Sequence, residues 1–237
     1  MTCISVLRKI STGCKAIDAS LTGGIPTESI SLVYGEAETG KTTLAIQCAV
    51  ACARQGYKTL FVDCDGTFSG RRLSQIVSEK FEEIAQQIIL MKPGDFHEQA
   101  IVVDRLTDYV TKNFGLIVFD TITSLYRLRI AEASSKTFEL NRELNRQLAV
   151  LAQITKIQKI AVLITSQVHS VLNAMPVSIE PVATRVLKFW ADTVIALKPT
   201  EDPTVIRMIL EKNQRKPSAK TFDLRIEETG IHDCSIH

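Results

Sequence analysis

Lys41 and Thr42, set behind glycines at positions 35 and 40, are the residues whose types and spacing most plainly predict chemistry. The run Gly35-Glu36-Ala37-Glu38-Thr39-Gly40-Lys41-Thr42 fits the pattern G-x-x-x-x-G-K-[ST] at every fixed position, and Thr43 continues it. Glycines let a backbone wrap closely enough to aim its N–H groups at phosphate oxygens. A helix starting at Lys41 would add its positive end. Lys41 would meet the outer phosphates, and the Thr42 hydroxyl would sit on a magnesium ion. The run predicts binding of a nucleoside triphosphate.

Other polar residues have the right types for a second ring. Asp120 closes the apolar run Leu116-Ile-Val-Phe-Asp120, a position from which a carboxylate can hold magnesium, through water. Asp63 and Asp65 follow a different apolar run, where an acid can orient or deprotonate an attacking water. An Asp-capped turn in D-C-D-G is an equal reading of the same residues. Gln167, in Thr165-Ser166-Gln167, can hydrogen-bond a γ-phosphate, or it can simply end a strand at water.

These residues need strands and helices to place them. Ser29–Tyr34 reads as a buried strand entering the loop, and Lys41–Gln55 as an Ala-rich helix leaving it, stopped by Gly56. Further strands are predicted at Thr59–Asp63, Ile88–Met91, Leu116–Asp120 and Ile160–Thr165. The segment Ser11–Pro26 reads as a short capped helix ended by a glycine pair, and further helices are predicted from about Arg71, from Asp95 to about Lys112, and through Leu140, Leu144, Leu148 and Leu151. The stretch from Val168 to about Thr184, with Pro176 and Pro181, reads as irregular. Three β-rich runs close the chain at Asp192–Leu197, Val205–Leu210 and Lys220–Ile226, and are expected to be antiparallel additions. Alternating strands and helices predict an α/β fold with a largely parallel central sheet flanked by helices. In such sheets ligands sit at the carboxyl ends of strands, where the loop, Asp65, Asp120 and Gln167 all fall.

Composition bounds the rest. The 237 residues suit one domain over 1–237, with no linker, repeat or low-complexity stretch to divide it. No run approaches the roughly 20 apolar residues that span a bilayer, and no signal peptide is evident, so a soluble cytoplasmic protein without membrane contact is expected. The six cysteines are scattered without C-x-x-C, which argues against zinc and for reduced, buried thiols at Cys48 and Cys52. A net charge of +2 announces no global field for nucleic acid. Local basic groups occur at Arg127, Arg129 and Lys136, and from Arg207 to Lys220. On charge alone both read first as solvated surface. Trp190 beside Phe189 reads as core packing at the start of a late strand before it reads as a base-stacking platform.

The set G-E-A-E-T-G-K-T-T, F-V-D-C-D-G-T-F, L-I-V-F-D and T-S-Q-V, in this order, resembles the ATPase core of the RecA/RadA recombinases. So do S-T-G-C-K-A-I-D-A-S-L-T-G-G-I-P before the loop and T-F-D-L-R-I-E-E-T-G-I-H-D at the close. Only ten residues precede the core, and L-K-F-W-A-D precedes the late strands, so the chain looks most like the core-only archaeal paralogues, the RadB group. The resemblance implies a RecA-like P-loop fold, ATP and Mg²⁺ as ligands, and binding of single- or double-stranded DNA. It also implies work beside a full-length RadA-type recombinase and self-association. It implies Lys41 and Thr42 on phosphate and metal, Asp120 on the metal, Asp65 as catalytic acid, Gln167 as γ-phosphate sensor and Arg72 stacked on adenine. Two DNA loops would correspond to about Arg127–Thr137 and Val168–Lys188, the second bringing Arg185 and Lys188. The chain departs from the family pattern at Asp65, where Glu is usual, at Ser166, where Asn is usual, and in a second loop without Gly-Gly. Slow ATP hydrolysis is therefore expected. Rival readings are a KaiC-like regulatory ATPase acting on proteins, a small P-loop kinase, and an adaptor that holds ATP structurally. The β-rich close disfavours the kinase, which needs a helical lid.

Overall fold

The computed structural model describes residues 9–168 and 182–234, apart from the side chains of Ser134 and Val182. In chain order the first elements are β1 (Lys9–Ile10), α1 (Lys15–Ser20), β2 (Ile25–Pro26), β3 (Ser29–Gly35), α2 (Lys41–Arg54), β4 (Lys58–Asp63), α3 (Gly70–Val77) and α4 (Phe81–Ala85). Next come β5 (Ile88–Met91), α5 (Phe96–Asp104), α6 (Leu106–Tyr109), β6 (Phe114–Asp120), α7 (Ser124–Glu132), a 3-10 turn (Ser134–Lys136), α8 (Thr137–Gln158) and β7 (Ala161–Gln167). The chain closes with α9 (Val182–Trp190), β8 (Thr193–Pro199), β9 (Val205–Asn213), β10 (Lys216–Glu227) and β11 (Gly230–Asp233).

Nine strands form one sheet in the order β11-β10-β9-β8-β3-β7-β6-β4-β5, and β1 and β2 form a small separate pair. From β8 to β5 the pairs are parallel, and β8, β9, β10 and β11 pair antiparallel. Successive residues of one strand face opposite layers. In β6, Leu116 and Val118 pack with α2 and α3, whereas Ile117 and Phe119 pack with α5, α8 and α9. Such two-sided burial is why the central strands are continuous apolar runs. Cys48 and Cys52 lie fully inside, where burial pushes their thiols up. The late hairpin is tied to α2 by the Gln47 amide, which accepts from Ile231 N at 2.7 Å and donates to Ile231 O at 3.0 Å.

The sequence-based expectations need five corrections. The first of the three late runs, β8, is parallel to β3, because it is buried from Thr193 to Leu197 and completes the core sheet instead of extending it. The helix capped by Asp95 stops at Asp104, and Arg105 breaks it from α6. Residues 124–132 form helix α7, not part of a loop. Residues 182–190 form helix α9, against the irregular reading of the stretch to about Thr184. Ala183, Leu187 and Trp190 recur at helical spacing along α9, with the first two buried, and the neighbouring prolines hid that pattern. Trp190 accordingly closes a helix, its Nε1 donating to Asn145 Oδ1 at 2.7 Å. Residues 169–181, most of the expected second loop, lie outside the described residues.

Candidate functional site

The turn from β3 into α2 is shaped by its glycines. A Cβ on Gly35 would lie 2.2 Å from the Leu197 carbonyl oxygen of β8, and Gly40 has φ +81°, a left-handed geometry that favours glycine. No side chain caps α2 and no acid lies in its first turn, so its N-terminal donors face the loop without a competing carboxylate. Lys41 is buried, and its ammonium donates to the Glu36 carbonyl, as does Thr39 Oγ1 at 2.9 Å. Burial lowers the Lys41 pKa, against the opposing charges of Asp120, Asp65 and Glu36. A cavity of about 220 Å³ is lined by Glu38, Gly40, Lys41, Thr42 and Thr43 together with Ile226 of β10. Ala37 stands exposed on the crest of the loop.

Asp120 ends β6 with no exposed surface. Thr165 donates its hydroxyl to Oδ1, while Oδ2 has no hydrogen-bond partner. Burial pushes this carboxyl up to about 6, opposed by the Thr165 hydrogen bond and the nearby Thr42 hydroxyl and reinforced by the charges of Asp65 and Asp63. A buried, unpartnered carboxylate oxygen beside a threonine hydroxyl is the donor set that a hard cation fits. Among the described residues no three His, Cys, Asp or Glu side chains converge to cage a metal by themselves. Mg²⁺ needs only one or two protein oxygens, because phosphate oxygens and water complete its shell.

The D-C-D-G turn divides its two acids. Asp63 is buried and accepts from Thr67 N at 3.0 Å and Phe68 N at 3.3 Å, so it caps the turn. Asp65 is exposed and accepts from Thr67 Oγ1 at 2.7 Å, and Thr67 Oγ1 lies 3.5 Å from Thr42 Oγ1. The turn-cap reading of this motif falls on Asp63, and Asp65 stands exposed beside it. Gln167 pairs in register with Gly35, and Val168 N donates to Gly35 O at 3.1 Å, which sets the end of β7 against the start of the loop.

Arg72 reaches the same region from α3. It donates to Glu228 O at 2.9 Å and Glu227 O at 2.8 Å in the β10–β11 turn, and to Thr43 Oγ1 at 3.4 Å. The guanidinium thus borders the loop helix while pinning the turn, a role its place in the sequence does not reveal. The β10–β11 turn, Ile226 and Gln47 were likewise missed, because their closeness to the loop arises only when the last strands fold back over α2.

The basic residues separate. Arg127 and Arg129 stand exposed on α7 and Lys136 on the 3-10 turn. Arg127 Nη1 lies 3.5 Å from the Gln167 carbonyl oxygen, and Arg129 pairs with Glu132 at 3.0 Å. Arg185 and Lys188 ride on α9, where Lys188 pairs with Glu211 at 3.1 Å and sits 4.6 Å from the Tyr34 ring centre. In the second basic stretch Arg207 pairs with Asp223, Arg215 with Asp192, and Lys212 donates to the Lys188 and Ala191 carbonyls, while Lys216 and Lys220 stand exposed.

The arrangement can hold a triphosphate, a divalent cation and an ordered water. Residues 4–234 match the family model described as Rad51. The chain is 36% identical to a DNA repair and recombination protein RadB of Thermococcus onnurineus, over 94% of this chain and 97% of that protein. It is 29% identical to the RadB of Methanococcus maripaludis strain C5, over 91% and 96% respectively. A crystal structure of a RadB recombinase superposes with a TM-score of 0.78 at 34% identity, covering 95% of this chain and all of that one.

Proposed function

The chain belongs to the Rad51 family, and from that premise we propose that it is an ATP-binding, DNA-binding ATPase that assists homologous recombination and DNA repair. The observation that carries this reading is Asp120, whose unpartnered buried oxygen lies on the strand edge that also holds Lys41, Thr42 and Gln167. Lys41 would exchange the Glu36 carbonyl for phosphate oxygens, joined by the free N–H groups of α2. Thr42 and Asp120 would hold Mg²⁺, which when bound neutralises the developing phosphate charge. Asp65 would orient the attacking water, and the Gln167 amide would contact the γ-phosphate. The shorter arm of Asp65 supports slow turnover, so that ATP serves more as a conformational ligand than as fuel.

Single- and double-stranded DNA are the proposed partners, through Arg127, Arg129, Lys136, Arg185 and Lys188. A full-length RadA-type recombinase and further copies of this chain are the proposed protein partners of a single ATPase core domain. Among the described residues no helix is long and apolar enough to cross a membrane. The test is binding of labelled single- and double-stranded oligonucleotides with and without ATP, together with ATP turnover. We expect salt-dependent DNA binding and turnover that rises with DNA. No binding at low salt would overturn the reading in favour of an ATPase that acts on proteins.

A further inference from the structure

We infer that Gln99 of α5 and Gln147 of α8 are positioning residues for the cation. By holding the Ile122 carbonyl they fix the turn that follows Asp120, and with it the place of the Asp120 carboxylate. The inference rests on the proposed role of Asp120 and deepens it, adding two residues that touch neither cation nor nucleotide. Both stand where their helices call for apolar side chains. Gln99 falls between Phe96 and Val103 in the buried stripe of α5, and Gln147 falls between Leu144 and Leu151, at the same spacing, in that of α8. Neither glutamine has exposed surface.

Their hydrogen bonds run from the surface to the turn. Gln147 Nε2 donates to Glu143 Oε1 at 3.2 Å, and Glu143 is held in turn by Arg146 at 2.7 Å. Gln99 Nε2 donates to Gln147 Oε1 at 2.8 Å and to the Ile122 carbonyl oxygen at 3.2 Å. Gln147 therefore orients Gln99, because a turned-over Gln99 amide would point its oxygen at two acceptors. For packing alone this is a poor choice. Gln99 Oε1 has no hydrogen-bond partner among the described residues, and a buried acceptor left unmet costs stability that a pair of apolar side chains would keep. What the pair secures is Ile122. Its N–H donates to Thr165 O at 3.2 Å, and the Thr165 hydroxyl donates to Asp120. Thr165 thus ties Asp120 and the amide of Ile122 to β7, while Gln99 ties the Ile122 carbonyl to α5. Mg²⁺ holds its oxygens at about 2.1 Å in a near-ideal octahedron, so small drifts of that turn weaken its grip.

The experiment measures, by calorimetry, the Mg²⁺ concentration needed for half-maximal ATP binding, alongside ATP affinity without Mg²⁺ and the melting temperature. The proteins are wild type, Asp120→Asn, Gln147→Met, the double variant Gln99→Met with Gln147→Met, and Leu148→Ala. Methionine keeps the length of glutamine and cannot donate, so the double variant should melt close to wild type. It should raise the Mg²⁺ requirement about tenfold, as loss of a residue that orients a metal ligand does, with metal-free ATP affinity unchanged. Gln147→Met leaves Gln99 its bond to Ile122 and should raise the requirement by less. Leu148→Ala, a cavity in the same stripe, should melt lower with the wild-type requirement. A double variant with the wild-type requirement, or Leu148→Ala shifted as far as the double variant, makes the pair core packing and overturns the inference. The role of Asp120 survives that result if Asp120→Asn still raises the requirement. Should the double variant not fold, Gln147→Met carries the test, and a wild-type requirement there overturns the inference. Wild-type ATP binding that is indifferent to Mg²⁺ overturns both readings together.

Discussion

Lys41 and Asp120 are opposite charges, each held where water cannot fully solvate it, and a bound triphosphate with its cation would relieve both. Lys41 donates its ammonium to the Glu36 carbonyl, which a phosphate oxygen could replace. Lys41→Ala should therefore keep the fold and weaken ATP binding about ten- to a hundred-fold, the worth of a charge-assisted contact; unchanged affinity in calorimetry would refute the role. Asp120 works through pH. Its carboxyl titrates near 6, above the ordinary range, chiefly because it is buried. A carboxyl raised in the folded state adds stability while protonated, at acid pH, and that stability is lost as pH rises through about 6. Ionised Asp120 then costs the ligand-free fold roughly 3 kcal/mol, an order-of-magnitude figure. A bound cation favours the ionised form and offsets that cost. Mg²⁺-dependent ATP binding should thus weaken as pH falls through about 6, and Asp120→Asn should abolish that inflection while raising ligand-free stability at pH 8. A flat pH profile in wild type would show that Asp120 does not hold the metal.

The turn between β4 and α3 shows how far types and spacing could be read. The sequence placed two acids there and left turn cap and water-handling acid as equal readings, since both use an Asp just past a strand. Backbone amides cap the turn on Asp63, to which Thr67 and Phe68 donate, while exposed Asp65 accepts only from the Thr67 hydroxyl. The central strands and the phosphate loop were legible because apolar runs and glycine spacing are local signals. Helices α7 and α9 were not: each presents cations and large apolar groups to solvent, with a face too short to stand out. The pairing of β8 beside β3 depends on contacts far apart in the chain, which period alone does not carry. The turn also yields a test. Asp65 is one methylene shorter than the Glu usual in the family, roughly 1.5 Å, and a misplacement of about 1 Å can cost on the order of a hundred-fold in rate. Asp65→Glu should raise steady-state ATP turnover with little change in nucleotide affinity. If Asp65→Glu is no faster and Asp65→Ala no slower, Asp65 merely completes the turn and water is handled elsewhere.

Taken together, the charges of the molecule nearly cancel, with a net of +2, so attraction to a polyanion must come from cations that carry no internal partner. Several basic residues fail that condition. Arg207, Arg215, Arg146 and Arg129 are paired with carboxylates, and Lys188 with Glu211. Arg127, Lys136 and Arg185 make no ion pair among the described residues and stand on exposed helical surface. They are the better candidates for phosphate contacts, because a paired cation must first give up its carboxylate. Each phosphate neutralised on a single strand contributes about −0.7 to the slope of log affinity against log salt. Single substitutions of Arg127, Lys136 and Arg185 by Ala should each make that slope shallower by roughly 0.7 and lower affinity evenly across sequences. The same change at Arg129 or Lys188 should move the slope by clearly less, because the freed carboxylate replaces no phosphate contact. Titrations of one oligonucleotide at four salt concentrations would separate the two groups. Equal slope changes at all five positions would mean that the ion pairs open on binding, and that DNA samples the whole basic surface instead of its unpaired part.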